Sequence, residues 1–461
     1  MNLNQINGYA LNAIQAFRQI LLTLAILFAG LTVSAQTANN DTLNLSLLQA
    51  IEFASNNNQD IKNAFADVAI SDQTVKEVAS IGIPQLKGQV NFQDAIQKQV
   101  FVFPNPATGV PAPIRIGNKY TTQASLNLTW LLLDGTYFLG LKAAKQYTDL
   151  AKKVASKTES DVKIDVAKTY FMALIVQENI TLLNASLQTL NKTYEQVKAL
   201  NKEGFTESLD VDRLKLQLNN LEISRQKLND QYTIVLGLLK SKIGMEQKKS
   251  IKLSDNISDL NKQFLVADLN ASADLNTRTD YQILQQQLVL NKYNVKRYQY
   301  GKYPNLAGAF TLQESNFGEN IDYFNKDKWF QNSFLALQLN VPIFSGFGND
   351  AKIQKARIEQ IKTENTIRKV ENLIELEVQQ CRLNYLRAMD YVTQQKENLD
   401  LATRILNITT IKYNEGVGSN LEMITANQDL KTTQTNYLSA VYDLLVAKLD
   451  YQVALGQQIK L

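Results

Sequence analysis

The chain has 461 residues, with 48 Lys and Arg against 44 Asp and Glu and a formal net charge of +4, a surplus too small to indicate a nucleic-acid-binding protein. It contains no His and one Cys, Cys381, which excludes an intrachain disulfide and a Cys- or His-rich metal site and removes the commonest general base. Seven Pro and nineteen Gly are few for this length, so we expect long regular elements.

Residues 1–35 have the features of a secretory signal peptide. An apolar run over residues 20–31 follows Arg18 and precedes the small residues 33–35. The run is shorter than the roughly 20 residues of a membrane-spanning helix, and an uncleaved anchor is the alternative interpretation. We predict a mature chain that starts near Gln36, where no Cys is present to carry a lipid anchor.

The first half of the mature chain, residues 36–245, is predicted to start with a helix and two strands, near residues 84–103 and 119–133. Apolar residues alternate there with amide and hydroxyl residues, as a sheet with two different faces requires. The apolar set consists of Leu86, Val90, Phe92, Ala124, Leu126, Leu128, Trp130 and Leu132. The connection 101–118 holds four of the seven prolines and is expected to be a loop. A soluble β-domain would show the same alternation and is the alternative.

A very long helix is predicted after the second strand, because 68 residues without a proline separate Gly135 from Gly204. At 1.5 Å per residue such a helix approaches roughly 100 Å. Beyond Gly204 the leucine spacing is typical of a coiled coil. We therefore expect a hairpin tip at Gly204, where one helix ends and Ser208 caps the next. A plain antiparallel coiled coil is the alternative.

Residues 246–273 are predicted to be a linker, and residues 274–461 are predicted to repeat the first half. The repeat comprises a helix, strands near residues 303–317 and 331–344, and long helices with a tip at Gly416. The strand sequence LNLTWLLLDG returns as LQLNVPIFSG 211 residues later, and the tip sequence EGF returns as EGV 212 residues later. Two landmarks that share one spacing indicate an internal tandem duplication.

The four strands are the part of the mature chain suited to a membrane, since no later segment is apolar enough for a spanning helix. The smallest natural membrane barrels have eight strands, and a free edge in lipid leaves unpaired backbone groups. We therefore expect other copies of the chain to complete the sheet. Trp130 and Trp329 lie near strand ends and are candidate membrane-interface aromatics, with a buried core position as the alternative for Trp130.

The signal peptide, the two similar halves and the tip sequences EGFTESLDV and EGVGSNLEM make the mature chain resemble the TolC-like outer-membrane efflux protein family. The resemblance implies an α + β membrane protein in the outer membrane of a Gram-negative bacterium, in contact with outer-membrane lipid. It implies a homotrimer, in which long antiparallel helical hairpins form a periplasmic tunnel and four transmembrane strands per chain contribute to a shared 12-stranded β-barrel. Residues 246–273 then match the family's equatorial region.

The same resemblance implies a function, namely the exit duct of a tripartite efflux pump. A periplasmic adaptor (membrane fusion) protein would connect the duct to an inner-membrane RND, ABC or similar transporter. The outer-membrane component of a type I protein secretion system is an alternative, and a structural or adhesive coiled-coil surface protein is an alternative of another class. We find no nucleophile–base pair, phosphate loop or ligand cluster in the sequence, so we expect neither an enzyme nor a cofactor, metal or nucleic-acid site.

The resemblance also assigns roles to residues at the two tips. In the family, acidic residues after the second tip glycine form a constricting periplasmic aperture, and Glu422 occupies the matching position. Thr425 stands where a second acid is usual, which leaves open whether one or two acidic rings are present. Asp210 and Asp212 come from the first tip. Such carboxylates would favour cations; the alternative is that they stabilise helix N-termini by about 0.3–1 kcal/mol each.

The remaining tip residues are matched to the adaptor-docking surface of the family. These are Gly204, Phe205, Gly416 and Val417. Cys381 lies within a predicted helix, and we interpret it as a small packing residue.

Overall fold

The computed structural model describes residues 43–104, 109–257, 260, 269, 271–322 and 326–457. The predicted signal peptide lies outside these residues, as does most of the second half of the predicted linker. The chain divides into two compact units. Of the first, Leu43 and residues 248–250 are described, and the Leu43 N–H donates to the Ser250 carbonyl at 3.0 Å. The second comprises residues 44–247 and 251–461 and contains the helices, the main sheet and the hairpin tips.

The helices of the second unit form two series of matching length. In chain order they are α1 (Leu47–Asn57), α2 (Gln59–Ser80), α3 (Gly135–Lys202), α4 (Ser208–Lys242), α5 (Thr279–Tyr300), α6 (Gly348–Asn414) and α7 (Asn420–Ala454). The long helices α3 and α6 have 68 and 67 residues, and the helices that follow them, α4 and α7, have 35 each. Among the described residues, no helix combines the length and apolar character needed to cross a membrane.

The strands are shorter, and within the described part of the chain they form three sheets. They are β1 (Leu43–Leu45), β2 (Gln85–Asp94), β3 (Gln99–Pro104), β4 (Pro111–Ile116), β5 (Tyr120–Leu133), β6 (Ile251–Leu253), β7 (Asn305–Gly318) and β8 (Trp329–Asn340). The main sheet is antiparallel with the order β2-β5-β7-β8, so β2 and β8 are its edges. Long helices combined with a separate strand region agree with the expected α + β class.

The register of the main sheet places the apolar residues of neighbouring strands on one face. Leu86 lies opposite Leu128, which lies opposite Phe310, which lies opposite Leu335. The next row on the same face contains Leu126 and Leu312, among others. Because successive side chains in a strand point to opposite faces, Gln, Asn and Thr residues cover much of the other face. The alternation seen in the sequence therefore corresponds to a sheet with two chemically different faces.

The connection 101–118, expected to be a loop, contains a β-hairpin. Strands β3 and β4 pair antiparallel, with Phe101 opposite Ile114 and Phe103 opposite Ala112. The prolines that suggested a loop are compatible with this hairpin, because proline is tolerated in a strand whose outer edge is free. The strand expected over 84–103 is accordingly divided into β2 and β3.

The helices pack around a core that lies midway along the long hairpins. Its largest fully buried side chains include Tyr170, Phe171, Tyr385, Leu444 and Tyr451. The rings of Tyr385 and Tyr451 stack with centroids 6.1 Å apart. Cys381 is half-buried against this core, and burial raises the pKa of its thiol. This location fits a packing role.

Two polar contacts join the shorter helices to the ends of α4 and α7 in the same way. The Asn58 side-chain amide, which caps α2, donates to the Lys242 carbonyl at 2.7 Å. The Arg278 guanidinium, just before α5, donates to the Ala454 carbonyl at 2.9 Å. Both contacts satisfy carbonyl groups that a helix end leaves without an intrahelical partner.

Candidate functional site

The two hairpin tips have the same backbone design. The N–H of Gly204 donates to the Asn201 carbonyl and the N–H of Phe205 donates to the Leu200 carbonyl. This pair of bonds is a Schellman motif, and its glycine adopts the left-handed conformation, with φ +81° at Gly204. Gly416 has φ +74° and makes the corresponding bonds, so each glycine allows the chain to reverse direction.

The helices that follow the tips begin differently. Ser419 precedes α7, and its hydroxyl accepts a hydrogen bond from the Glu422 N–H at 3.2 Å. At the first tip, Ser208 is already the first helical residue, and Glu207 holds the capping position without a side-chain hydrogen bond. Ser208 therefore does not cap α4, which corrects our expectation.

Apolar side chains project from both tips. Phe205 and Val417, one at each tip, are each 78% exposed. Leu209 and Leu421, one turn further along, are also exposed. Beneath them Leu214, Leu218 and other residues form a small buried core between α3, α4 and α7, which holds the tips together. The exposed apolar ends therefore sit on a packed support.

The four predicted aperture residues lie close to the tips but in different environments. Glu422, Asp212 and Thr425 are exposed, and the Thr425 hydroxyl bonds within α7 to the Leu421 carbonyl. Neither the Glu422 nor the Asp212 carboxylate takes part in an ion pair within the described residues. Asp210 is half-buried and contacts the other tip. The structure thus brings Asp210 into contact with α7, while Glu422 and Asp212 face solvent.

Asn420 is the residue that joins the tips, and the sequence analysis missed it. Its side-chain amide donates to the Asp210 carbonyl at 3.0 Å and to the Asp210 carboxylate at 3.2 Å. Asn420 is only 4% exposed, and its own side-chain carbonyl has no hydrogen-bond partner in the described part of the chain. Tyr413 lies nearby, and burial together with the Asp210 charge raises the pKa of its hydroxyl. The sequence shows an Asn at a predicted helix start, but its burial and its contact with Asp210 are visible only in the structure.

The two tryptophans lie on the same face of the main sheet near its opposite ends. Trp329 of β8 lies in the same row of paired residues across the strands as Thr122 of β5. Trp130 lies eight residues further along β5, opposite Gly308. At about 3.3 Å per residue the two rows are ~26 Å apart along the strands. Aromatic girdles of membrane strands flank an apolar band roughly 25 Å tall. Because such strands tilt by about 35–45°, the ~26 Å spacing corresponds to ~20 Å along the membrane normal, slightly less than the height of that band.

A second aromatic group, also missed in the sequence analysis, marks the junction between β8 and α6. Phe344 and Phe347 are 74% and 73% exposed, and their rings meet edge to face at 5.4 Å. Phe347 has φ +63°, a conformation that is unfavourable for a residue with a side chain. Phe138, Tyr300 and Tyr303 are exposed at two other strand–helix junctions. Exposed aromatic residues thus lie at three of the four described junctions between the main sheet and the helices.

Across the described ranges, no three Asp, Glu or Cys side chains approach closely enough to hold a metal ion. The features that stand out are therefore surfaces: a two-faced sheet, an aromatic junction and paired hairpin tips.

Comparisons with known proteins point to the same class of protein as the resemblance seen in the sequence. The sequence model of the family described as "Outer membrane efflux protein" matches residues 50–244 and 275–457. Nodulation protein T of Rhizobium leguminosarum bv. trifolii is 23% identical over 437 residues, which cover 91% of this chain and 86% of that protein. The structure is similar to that of CusC, with a TM-score of 0.70, 18% identity and coverage of 92% and 96% of the two chains. It is similar to the outer membrane channel CmeC of Campylobacter jejuni, with a TM-score of 0.70, 15% identity and coverage of 89% and 85%.

Proposed function

Since this chain belongs to the outer membrane efflux protein family, we propose that it is the exit duct of a tripartite efflux pump. The protein resides in the outer membrane and has a large periplasmic helical part, and it is a channel protein rather than an enzyme. The proposed role is passive export, driven by an inner-membrane transporter of the RND, ABC or a similar class and relayed by a periplasmic adaptor.

One observation carries this proposal: a two-faced, four-stranded sheet with two open edges is joined to paired helical hairpins. Among the described residues, no strand pairs with the outer sides of β2 and β8, and backbone groups left unpaired there could not lie in hydrocarbon. Three copies would supply twelve strands and would close the sheet into one barrel, with β2 of each copy beside β8 of the next. The helices would continue that barrel as a tunnel. The equal helix lengths support the proposed tandem duplication and its halves, 36–245 and 274–461.

The hairpin tips are proposed as the adaptor-docking surface and the periplasmic aperture. Phe205 and Val417 offer apolar contacts beside the tip glycines Gly204 and Gly416, whose backbone leaves open space around them. Glu422 and Asp212 would face the axis as an acidic ring and favour cations. Asp210 is better suited to holding the tips together through Asn420.

Single-channel recording in planar bilayers tests the proposal. The purified mature protein should form trimers that conduct ions, and dissociation of the trimer should abolish the conductance. A monomer that carbonate removes from envelopes would instead indicate a coiled-coil surface protein. Quenching by lipids brominated near the headgroup tests the membrane placement of Trp130 and Trp329, measured in W329F and W130F variants so that each reports alone.

A further inference from the structure

Positive charge is concentrated where the helices meet the main sheet. In α2, α3, α5 and α6, the eleven residues of each helix nearest the sheet together contain nine Lys and Arg and three Asp and Glu. Their net charge of +6 exceeds the +4 of the entire chain, so the remaining residues are net negative. The one acid in the α6 segment, Asp350, is paired with Lys302. The excess positive charge is therefore a local property of this region.

Five of these cations are on the first turns of α3 and α6, and we call them the cationic collar: Lys142, Lys145, Lys352, Lys355 and Arg357. All five are exposed, and none forms an ion pair within the part of the chain that the structure describes. Exposed cations without an ion pair also occur elsewhere on the long helices, Lys192 and Arg404 among them, so it is the scarcity of acids nearby that distinguishes the collar. Among the described residues, no acid forms an ion pair with any of the five collar cations, so their positive charge is left unbalanced.

The collar lies just beyond the exposed aromatic residues of the strand–helix junctions. At 1.5 Å per residue, Lys352 is ~6 Å and Arg357 ~14 Å along the axis from Gly348, where α6 begins. Lys142 and Lys145 lie ~10 and ~15 Å from the start of α3. The headgroup layer on each side of a bilayer is roughly 5–8 Å thick, and Lys side chains can extend back toward it. With the hydrocarbon boundary at the exposed aromatic residues of the junctions, these distances place the collar at and just below the headgroups.

We infer that the cationic collar binds anionic phospholipid headgroups of the periplasmic leaflet of the outer membrane. This inference rests on the proposed placement of the main sheet in the membrane. The aromatic residues would fix the depth of the junction, and the cations would select negatively charged lipids among those at that depth. Each Lys or Arg held near an anionic surface favours binding by roughly fivefold. A soluble phosphate would gain the charge attraction but not the adjacent apolar contact.

Native mass spectrometry of the full-length purified protein tests this inference. The protein in detergent is exposed to equal amounts of phosphatidylglycerol and phosphatidylcholine, and the retained lipids are counted. The test variant replaces all five collar cations by Gln. The matched control replaces four Lys and one Arg that are also exposed and unpaired, but distant along the helices: Lys192, Lys202, Lys227, Arg404 and Lys412.

The native protein and the control should retain more phosphatidylglycerol than phosphatidylcholine, and the collar variant should lose most of that preference. An unchanged preference in the collar variant would overturn the inference. Glycerol phosphate that competes with phosphatidylglycerol equally well would also overturn it, because that result indicates a general anion site. A collar variant with a changed reversal potential but unchanged lipid binding would overturn it too, because the cations would then lie inside the duct. Because the lipid count needs no ion flow, a protein that keeps the preference but forms no pore would contradict the proposed function alone.

Discussion

The side-chain amide of Asn420, the first residue of α7, donates hydrogen bonds to both the backbone carbonyl and the carboxylate of Asp210 in α4. These are contacts between residues 210 positions apart in the sequence, and they fix one hairpin tip against the other. If the tips surround the aperture, this bond helps to determine how far apart α4 and α7 stand.

Replacing Asn420 by Ala should loosen the tips. A hydrogen bond to a charged group contributes about 1.5–3 kcal/mol, and part of this is offset because the unpaired Asn420 carbonyl is removed as well. Hydrogen exchange should become faster at the starts of α4 and α7, and single-channel conductance should rise. Asn427→Ala is the control, since the one side-chain hydrogen bond of Asn427 among the described residues lies within α7, to the Met423 carbonyl. Equal exchange rates in the two variants would remove Asn420 from this role.

The acids at the tips should contribute unequally to ion selectivity. Glu422 and Asp212 are exposed, whereas the Asp210 carboxylate is half-buried against Asn420. Neutralising Glu422 or Asp212 to the amide should therefore shift the reversal potential toward lower cation preference, and Asp210→Asn should shift it less. Asp67→Asn in α2 removes an exposed charge far from the tips and serves as the control. If Glu422→Gln behaves like Asp67→Asn, Glu422 does not line the aperture.

The sheet offers a comparison between two glycines on the same face. A Cβ atom on Gly308 would lie 2.3 Å from the indole of Trp130, whereas one on Gly88 would make an ordinary 3.6 Å contact with Leu126. Gly308→Ala should displace the indole and destabilise the sheet by about 1–3 kcal/mol, the usual cost of overpacking. Gly88→Ala should be tolerated. Thermal unfolding in a W329F background checks both, because Trp130 then reports alone; equal stability of the two variants would contradict the close approach of Trp130 to Gly308.

Much of the fold could be predicted from periodicity. The even–odd alternation over 120–133 predicted β5, and proline-free runs ending at Gly204 and Gly416 predicted the long helices and their tips. These patterns are local, and local spacing is enough to determine them. The β3–β4 hairpin was missed because its prolines outweighed the alternation of Val and Phe in residues 100–103.

The contacts between distant segments could not be predicted in this way. The bond from Asn420 to Asp210 depends on how two helices pack, and the exposure of Phe347 depends on a left-handed backbone that the sequence does not specify. The cationic collar was hidden for a different reason. Its charges are spread over separate helices and come together only at the sheet, while the charge of the whole chain is small.

The ion pairs of Arg278 predict a dependence of stability on pH. Arg278 is buried, and its guanidinium lies 2.8 Å from the carboxylates of both Asp280 and Glu377. Burial of Asp280 opposes its ionisation, but the hydrogen bond and charge of Arg278, with Lys157 3.9 Å away, outweigh burial and hold the pKa of Asp280 below its ordinary 3.8. A lowered folded-state pKa means that the stabilisation is complete above pH 3.8.

That stabilisation should be lost as the pH falls through the lowered pKa of Asp280, since protonation then removes the charge that Arg278 contacts. The thermal midpoint of the native protein should therefore exceed that of Asp280→Asn at pH 6, and the difference should shrink below about pH 4. Glu195→Gln is the control, because Glu195 pairs with Lys198 on the helix surface, shares no partner with Asp280, and such pairs contribute little at any pH. The difference in thermal midpoint between the native protein and Asp280→Asn could instead stay constant from pH 6 to pH 3. That result would show that packing, and not the charge of the Asp280 carboxylate, stabilises this contact.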